Sequence, residues 1–194
     1  MPSKPIDLPL LRGPKPATLY YLAHTKAAEP VRYNLQFLHR VRDRRWLAQL
    51  PDWATGDEAV AYYEQLPTAA AALAAELGDL PVDLVAAAPS RRRDAEPYLA
   101  AIKRRRRDAH DVSRSVHRVG NVSAGETTEP TRFVAHVALT YATRFDQFRD
   151  VLIVDDVYSA GTTAAALLFR MEQLGLPTDA RVSVAAPLLA TPTE

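Results

Sequence analysis

Short runs of consecutive apolar residues alternate with stretches in which apolar residues recur every three or four positions, and the two spacings predict strands and helices in turn. Val151, Leu152, Ile153 and Val154 form the clearest run, and three of the four are β-branched. Such a run predicts a strand buried on both faces, as at the centre of a parallel sheet. Residues 81–90 predict the first strand of that sheet, residues 181–187 the last, and residues 111–118 alternate like a further strand. Residues 31–50 set Val31, Leu35, Leu38, Val41 and Leu47 near one helical face, with Trp46 and Trp53 at the end. Residues 57–66 and 68–77 predict two helical pieces separated by Pro67, the second rich in alanine and closed by Gly78. Residues 95–107 predict a helix ending in Lys103, Arg104, Arg105, Arg106 and Arg107, where cations suit the negative end of the dipole. Residues 1–16 carry Pro2, Pro5, Pro9 and Pro14 without periodicity and predict an extended arm or tail, with a short strand over 17–23. Residues 120–130 predict a polar loop, and residues 131–143 are apolar without a definite period.

Strands that alternate with helices predict an α/β fold, a doubly wound parallel sheet that binds ligands at the carboxyl ends of its strands. The patterns divide the chain into a mainly helical N-terminal appendage or hood over 1–80 and an α/β core over 81–194.

The chemistry concentrates after Val154. Two carboxylates, Asp155 and Asp156, end the strand; Ser159, Ala160, Gly161, Thr162 and Thr163 form a small hydroxyl-rich loop; residues 164–171 then have good helix propensity. The first turn of a helix leaves backbone N–H groups without partners and carries the positive end of the dipole, so this junction is an anion site. Gly161 lets the backbone approach a ligand, and the hydroxyls of Ser159, Thr162 and Thr163 suit phosphate oxygens. Asp155 and Asp156 suit sugar hydroxyls or a Mg²⁺ held through water. A phosphate beside a diol describes a ribose phosphate.

The stretch 151–163 resembles the phosphoribosyl pyrophosphate (PRPP) signature of type I phosphoribosyltransferases, in wording close to that of orotate-type and ComF-like proteins. Tyr158 stands where that family usually has an aliphatic residue. The resemblance implies a sheet in flavodoxin-like order and a Mg-dependent transfer in which a nitrogen nucleophile, a nucleobase or similar, displaces pyrophosphate from PRPP. It also implies that the loop after the first core strand, with Ser90, Arg91 and Arg92, holds the pyrophosphate. It implies, too, a mobile loop after the second core strand, with Arg118 at its start and Asn121 and Val122 after it. The resemblance implies an acceptor hood that, with little chain after the signature helix, either comes from residues 1–80, where ComF-like proteins carry a cysteine-based zinc module, or is missing.

Composition narrows the classes. There is no cysteine, which excludes disulfides, a thiolate zinc site and a thiol nucleophile, and no histidine spacing suits a metal. Neither GxxxxGK nor GxGxxG occurs, against a P-loop or dinucleotide site. No apolar run approaches the roughly 20 residues of a membrane helix, and residues 1–5 lack the apolar segment of a signal peptide, so the expected location is cytoplasmic. The net charge of +1 is unevenly placed: residues 91–118 hold ten Lys/Arg and four Asp/Glu, a local +6, whereas residues 150–194 hold two and six, a local −4. This asymmetry suits a Mg²⁺-pyrophosphate between the two regions. His117 and His136 read as ordinary polar or core residues, and the run 103–107 as a solvated face. The expected partners are PRPP and an unnamed acceptor, with a homodimer admitted. The alternative is a regulatory or partner protein that senses PRPP or a nucleotide, with nucleic acid, the less favoured partner, on the basic face.

Overall fold

A computed structural model describes residues 3–24, 57–89, 95–120, 130–140 and 144–189. Their elements are β1 (Ser3–Leu10), β2 (Gly13–His24), α1 (Asp57–Glu76), β3 (Leu84–Ala87), α2 (Glu96–Arg105), β4 (His110–Asp111), β5 (Val116–Arg118), β6 (Val137–Leu139), β7 (Asp150–Val154), β8 (Val157–Tyr158), α3 (Thr162–Gln173) and β9 (Arg181–Leu189). The main sheet runs β1-β2-β9-β7-β3-β4, with β8 also paired to β9. All pairs are parallel except β1 with β2. Numbering β3, β4, β7 and β9 as strands 1 to 4 gives the spatial order 2-1-3-4, the flavodoxin-like order, and β2 fills the fifth place. The expected doubly wound α/β fold is therefore the observed one.

Both faces of the sheet are covered, which explains why β3 and β7 read as unbroken apolar runs. Leu84, Ala86, Val151 and Ile153 pack toward α3, against Ala164, Leu167, Leu168 and Met171 and the side chains of Phe133 and Phe145. Val85, Ala87, Leu152 and Val154 face the other way, toward α1 and α2. There Ala69, Ala70, Leu73, Ala74 and Leu77 of the α1 stripe meet Tyr98, Leu99 and Ile102 of α2.

Several sequence expectations change. The arm expected over 1–16 is a hairpin built into the sheet, so the first strands of the 1–80 segment belong to the core sheet. Its prolines fall on alternate pairs, Pro5↔Thr18, Asp7↔Pro16 and Pro9↔Pro14, and the pairs between them contain none. Only every second pair of an antiparallel ladder exchanges N–H···O bonds, so proline is tolerated on the other set. β2 pairs with β9 only from Thr18 onward, beyond Pro14 and Pro16. The two helices expected around Pro67 are one, with Pro67 inside it. Pro67 is exposed, so the carbonyl it leaves without a donor can meet water, while the buried stripe from Ala69 to Leu77 holds the helix together.

The single strand expected over 111–118 is broken by a 3₁₀ turn at Ser113–Ser115. The Asp111 carboxylate accepts the Ser113 backbone N–H at 2.9 Å, an Asx turn that ends β4, and β5 pairs instead with β6 in a separate ribbon. The stretch 131–143 without a definite period begins as a second 3₁₀ segment, Pro130–His136, and continues into β6. The helix expected over 31–50, with Trp46 and Trp53, lies outside the described residues. Among the described residues no helix is long and apolar enough to cross a membrane.

Candidate functional site

The strand β7 ends at Val154, and the next amide still follows the sheet: the Asp155 N–H donates to the Ala185 carbonyl at 2.9 Å. The Asp155 carboxylate then turns back and accepts the Asp156 N–H at 2.9 Å. Asp155 is half-buried, and Asp156 retains only 8% exposure. After this break β8 rejoins β9 in the same register, Val154↔Ala185 being followed by Val157↔Leu188. The break changes which face each side chain meets. Leu152, Val154 and Tyr158 would share one face of an unbroken strand. Leu152 and Val154 pack toward α1 and α2, whereas Tyr158 packs toward α3.

Tyr158 thereby comes to lie under the loop that opens α3. Ser159 and Ala160 are exposed, Gly161 is buried with φ +72°, and Thr162 begins the helix. A Cβ on Gly161 would lie 2.6 Å from the Tyr158 hydroxyl oxygen, 3.1 Å from Tyr158 Cζ and 3.2 Å from Leu8 Cδ2 of β1. Glycine is required here twice, by the left-handed backbone and by the side chains packed against it. The Ala165 N–H donates to the Gly161 carbonyl at 2.8 Å, the first bond of the helix. Gly161 at the N-cap has no side chain to cap α3, so the first-turn amides there suit an anion. Burial pushes the Tyr158 phenol up to about 12, with the charges of Asp155 and then Asp7 adding to the effect. The phenol therefore stays a protonated donor at neutral pH.

The neighbouring strand end carries the second half of the site. The Ala88 N–H donates to the Val154 carbonyl at 2.7 Å, so the end of β3 lies directly beside the strand that delivers Asp155. A cleft of about 270 Å³ opens there, between Pro89, the start of α2 at Glu96, and the wall of Ser113, His117 and Arg118. The Ser113 hydroxyl oxygen accepts the Ala87 N–H at 2.8 Å. The half-buried Arg118 has its guanidinium carbon 5.6 Å from the centre of the Phe133 ring. Asp155, Asp156, Ser159, Ala160, Gly161, Thr162 and Thr163 thus follow one another past the carboxyl end of the interior strand β7, and Arg118 lines the adjoining cleft. Ser90, Arg91, Arg92, Asn121 and Val122 lie outside the described residues. Among the described residues no group of three or more His, Cys, Asp or Glu side chains is placed to hold a metal.

Solved structures similar to this chain include two phosphoribosyltransferases. One is a purine phosphoribosyltransferase from Pyrococcus horikoshii Ot3, 16% identical, with 68% of this chain and 90% of that chain covered and a TM-score of 0.45. The other is an adenine phosphoribosyltransferase from Thermoanaerobacter pseudethanolicus ATCC 33223, 20% identical, with 68% and 84% covered and a TM-score of 0.44. No family model and no curated protein matches the sequence.

The basic run stands apart from the cleft. Helix α2 begins at the cleft and carries Lys103, Arg104 and Arg105 in its last turn, roughly 11–14 Å along its axis. Arg106 donates to the Leu77 carbonyl at 3.3 Å and also to the Gly78 carbonyl, and Lys103 donates to the Ala109 carbonyl. Lys103 to Arg107, five of the ten Lys/Arg of residues 91–118, therefore bond to backbone carbonyls or face water at the far end of α2. Of the two histidines read as ordinary, His136 has Nδ1 3.1 Å from the Val119 carbonyl oxygen, and His117 is exposed in the cleft wall. Ser113 was not singled out in the sequence. Its signal is the Asp two positions earlier that starts the turn.

Proposed function

We propose that the protein transfers a phosphoribosyl group from PRPP to a nitrogen nucleophile, a nucleobase or similar compound. One observation carries the reading: the carboxylate pair closing β7 stands beside an uncapped helix start opened by a left-handed glycine, as a diol and a phosphate on one sugar require. The orotate-type and ComF-like wording of residues 151–163 supports it.

In this reading the ribose hydroxyls donate to Asp155 and Asp156, and the 5-phosphate lies on the first-turn amides of α3 with Ser159, Thr162 and Thr163. The pyrophosphate occupies the cleft at the end of β3, with Ser90, Arg91, Arg92 and Arg118 beside it. The nitrogen lone pair attacks C1 as the bond from C1 to the pyrophosphate oxygen breaks. The fixed donors around both phosphate groups hold the sugar in line and favour the charge that develops. Mg²⁺, when bound, neutralises the departing pyrophosphate. Among the described residues no third His, Asp or Glu joins the two carboxylates, which would hold that ion through its waters.

The test is a calorimetric titration with PRPP, with and without Mg²⁺, on the native protein and on the pair Asp155→Asn with Asp156→Asn. Metal-dependent binding that disappears in the double variant is expected, followed by pyrophosphate release in a screen of bases. Absence of binding to the native protein overturns the proposal. Binding without release for any base would favour a ligand-sensing protein.

A further inference from the structure

The side chain that sets this site apart from the aliphatic residue of the resembled signature is Tyr158. It is 95% buried, its exposure being 5%, and its hydroxyl oxygen ends 2.6 Å from the point where a Gly161 Cβ would be. Gly161 is the residue that precedes the first turn of α3. Among the described residues nothing hydrogen-bonds to this hydroxyl; Asp155 and Asp7 act on it only through space. The hydroxyl oxygen is not among the sealed-off unpartnered polar atoms of the described residues, so in the free protein it can donate to water, and a bound acceptor can take that water's place. Beside it lie Leu8 and the Gly161 backbone at the start of α3, with the carboxylates of Asp155 and Asp7 near enough to act on it through space. A ligand bound at that start is the recipient within reach.

We infer that the Tyr158 hydroxyl donates a hydrogen bond directly to an oxygen of the phosphomonoester held at the N-terminus of α3. The inference rests on the phosphoribosyl reading above and adds to it a ligand that an aliphatic side chain cannot supply. The change of face at Asp155 and Asp156 is what delivers the phenol to the loop rather than to the opposite side of the sheet.

Ribose 5-phosphate, titrated calorimetrically without metal, is the probe. The variants are Tyr158→Phe, which keeps the ring, and Tyr158→Leu, which restores an aliphatic side chain; thermal unfolding of each reports whether the fold is retained. A hydrogen bond to a charged group predicts an affinity loss on the order of tenfold in a folded Tyr158→Phe, and a similar loss in Tyr158→Leu. Free ribose, which lacks the phosphate, should bind native protein and Tyr158→Phe alike. Equal affinity of native protein and Tyr158→Phe for ribose 5-phosphate overturns the inference and leaves the phosphoribosyl reading standing. Failure of the native protein to bind ribose 5-phosphate also overturns the inference, while the PRPP titration decides the phosphoribosyl reading separately.

Discussion

The Ser113 hydroxyl oxygen accepts the Ala87 N–H at 2.8 Å and so completes a ladder that β4 is too short to extend. β4 pairs only with Leu84 and Val85 of β3, and the chain then leaves the sheet at the Asx turn. Without Ser113 the amide of a buried strand end would have no acceptor. Ser113→Ala is expected to cost about 1–3 kcal/mol, measured as a shift of the denaturant midpoint with an unchanged slope, and Ser113→Thr to keep most of the stability.

Gly161→Ala meets two obstacles, the positive φ and the Tyr158 hydroxyl. The first alone costs about 1 kcal/mol, whatever residue stands at 158. The second disappears when Tyr158 is replaced by valine. A double-mutant cycle of Gly161→Ala with Tyr158→Val should therefore show coupling of about 1 kcal/mol or more in favour of the double variant. Additive effects would show that the two side chains do not compete for the same space.

Alkaline pH provides an independent reading of Tyr158. Its folded-state pKa is raised from 10.0 to about 12, so between these values the unfolded chain releases a proton that the folded chain keeps. The unfolded state then binds fewer protons, and stability falls as pH rises through that window while Tyr158 adds no slope below it. Denaturant unfolding at about pH 9 and about pH 11 should show a smaller loss in Tyr158→Phe than in the native protein.

Arg106 should matter for stability where its neighbours do not. It bonds to the carbonyls of Leu77 and Gly78 in the turn just after α1, whereas Arg104 and Arg105 are exposed. Arg106→Ala is expected to cost about 1 kcal/mol, and Arg104→Ala or Arg105→Ala to stay within about 0.5 kcal/mol, in thermal or denaturant unfolding.

Residues buried on both faces announced themselves in the sequence, because a strand with no solvent side needs no polar alternation. Residues 151–154 and 84–87 are of this kind, and the small-residue loop after Asp156 is legible because a helix start needs glycine and open amides. What stayed hidden depends on pairing. The prolines of β1 looked incompatible with a strand, since only the register reveals that they avoid the hydrogen-bonded pairs. The face of Tyr158 could not be read because it depends on a break two residues earlier. Pro67 stopped the predicted helix, although packing of α1 on α2 carries it through.

The placement of β2 also sets the order of assembly. Thr18 pairs with Ser183, 165 positions later (183 − 18). Closing so long a loop is entropically costly and slow, so the contact that joins the hairpin to the sheet depends on a strand made near the opposite end of the chain. Until β9 arrives, β2 and β7 each present an open edge, the kind of surface through which unfinished chains pair with one another. A ribosome-bound or truncated form lacking β9 would therefore expose two adhesive edges at once, making that last strand the one whose loss most threatens solubility.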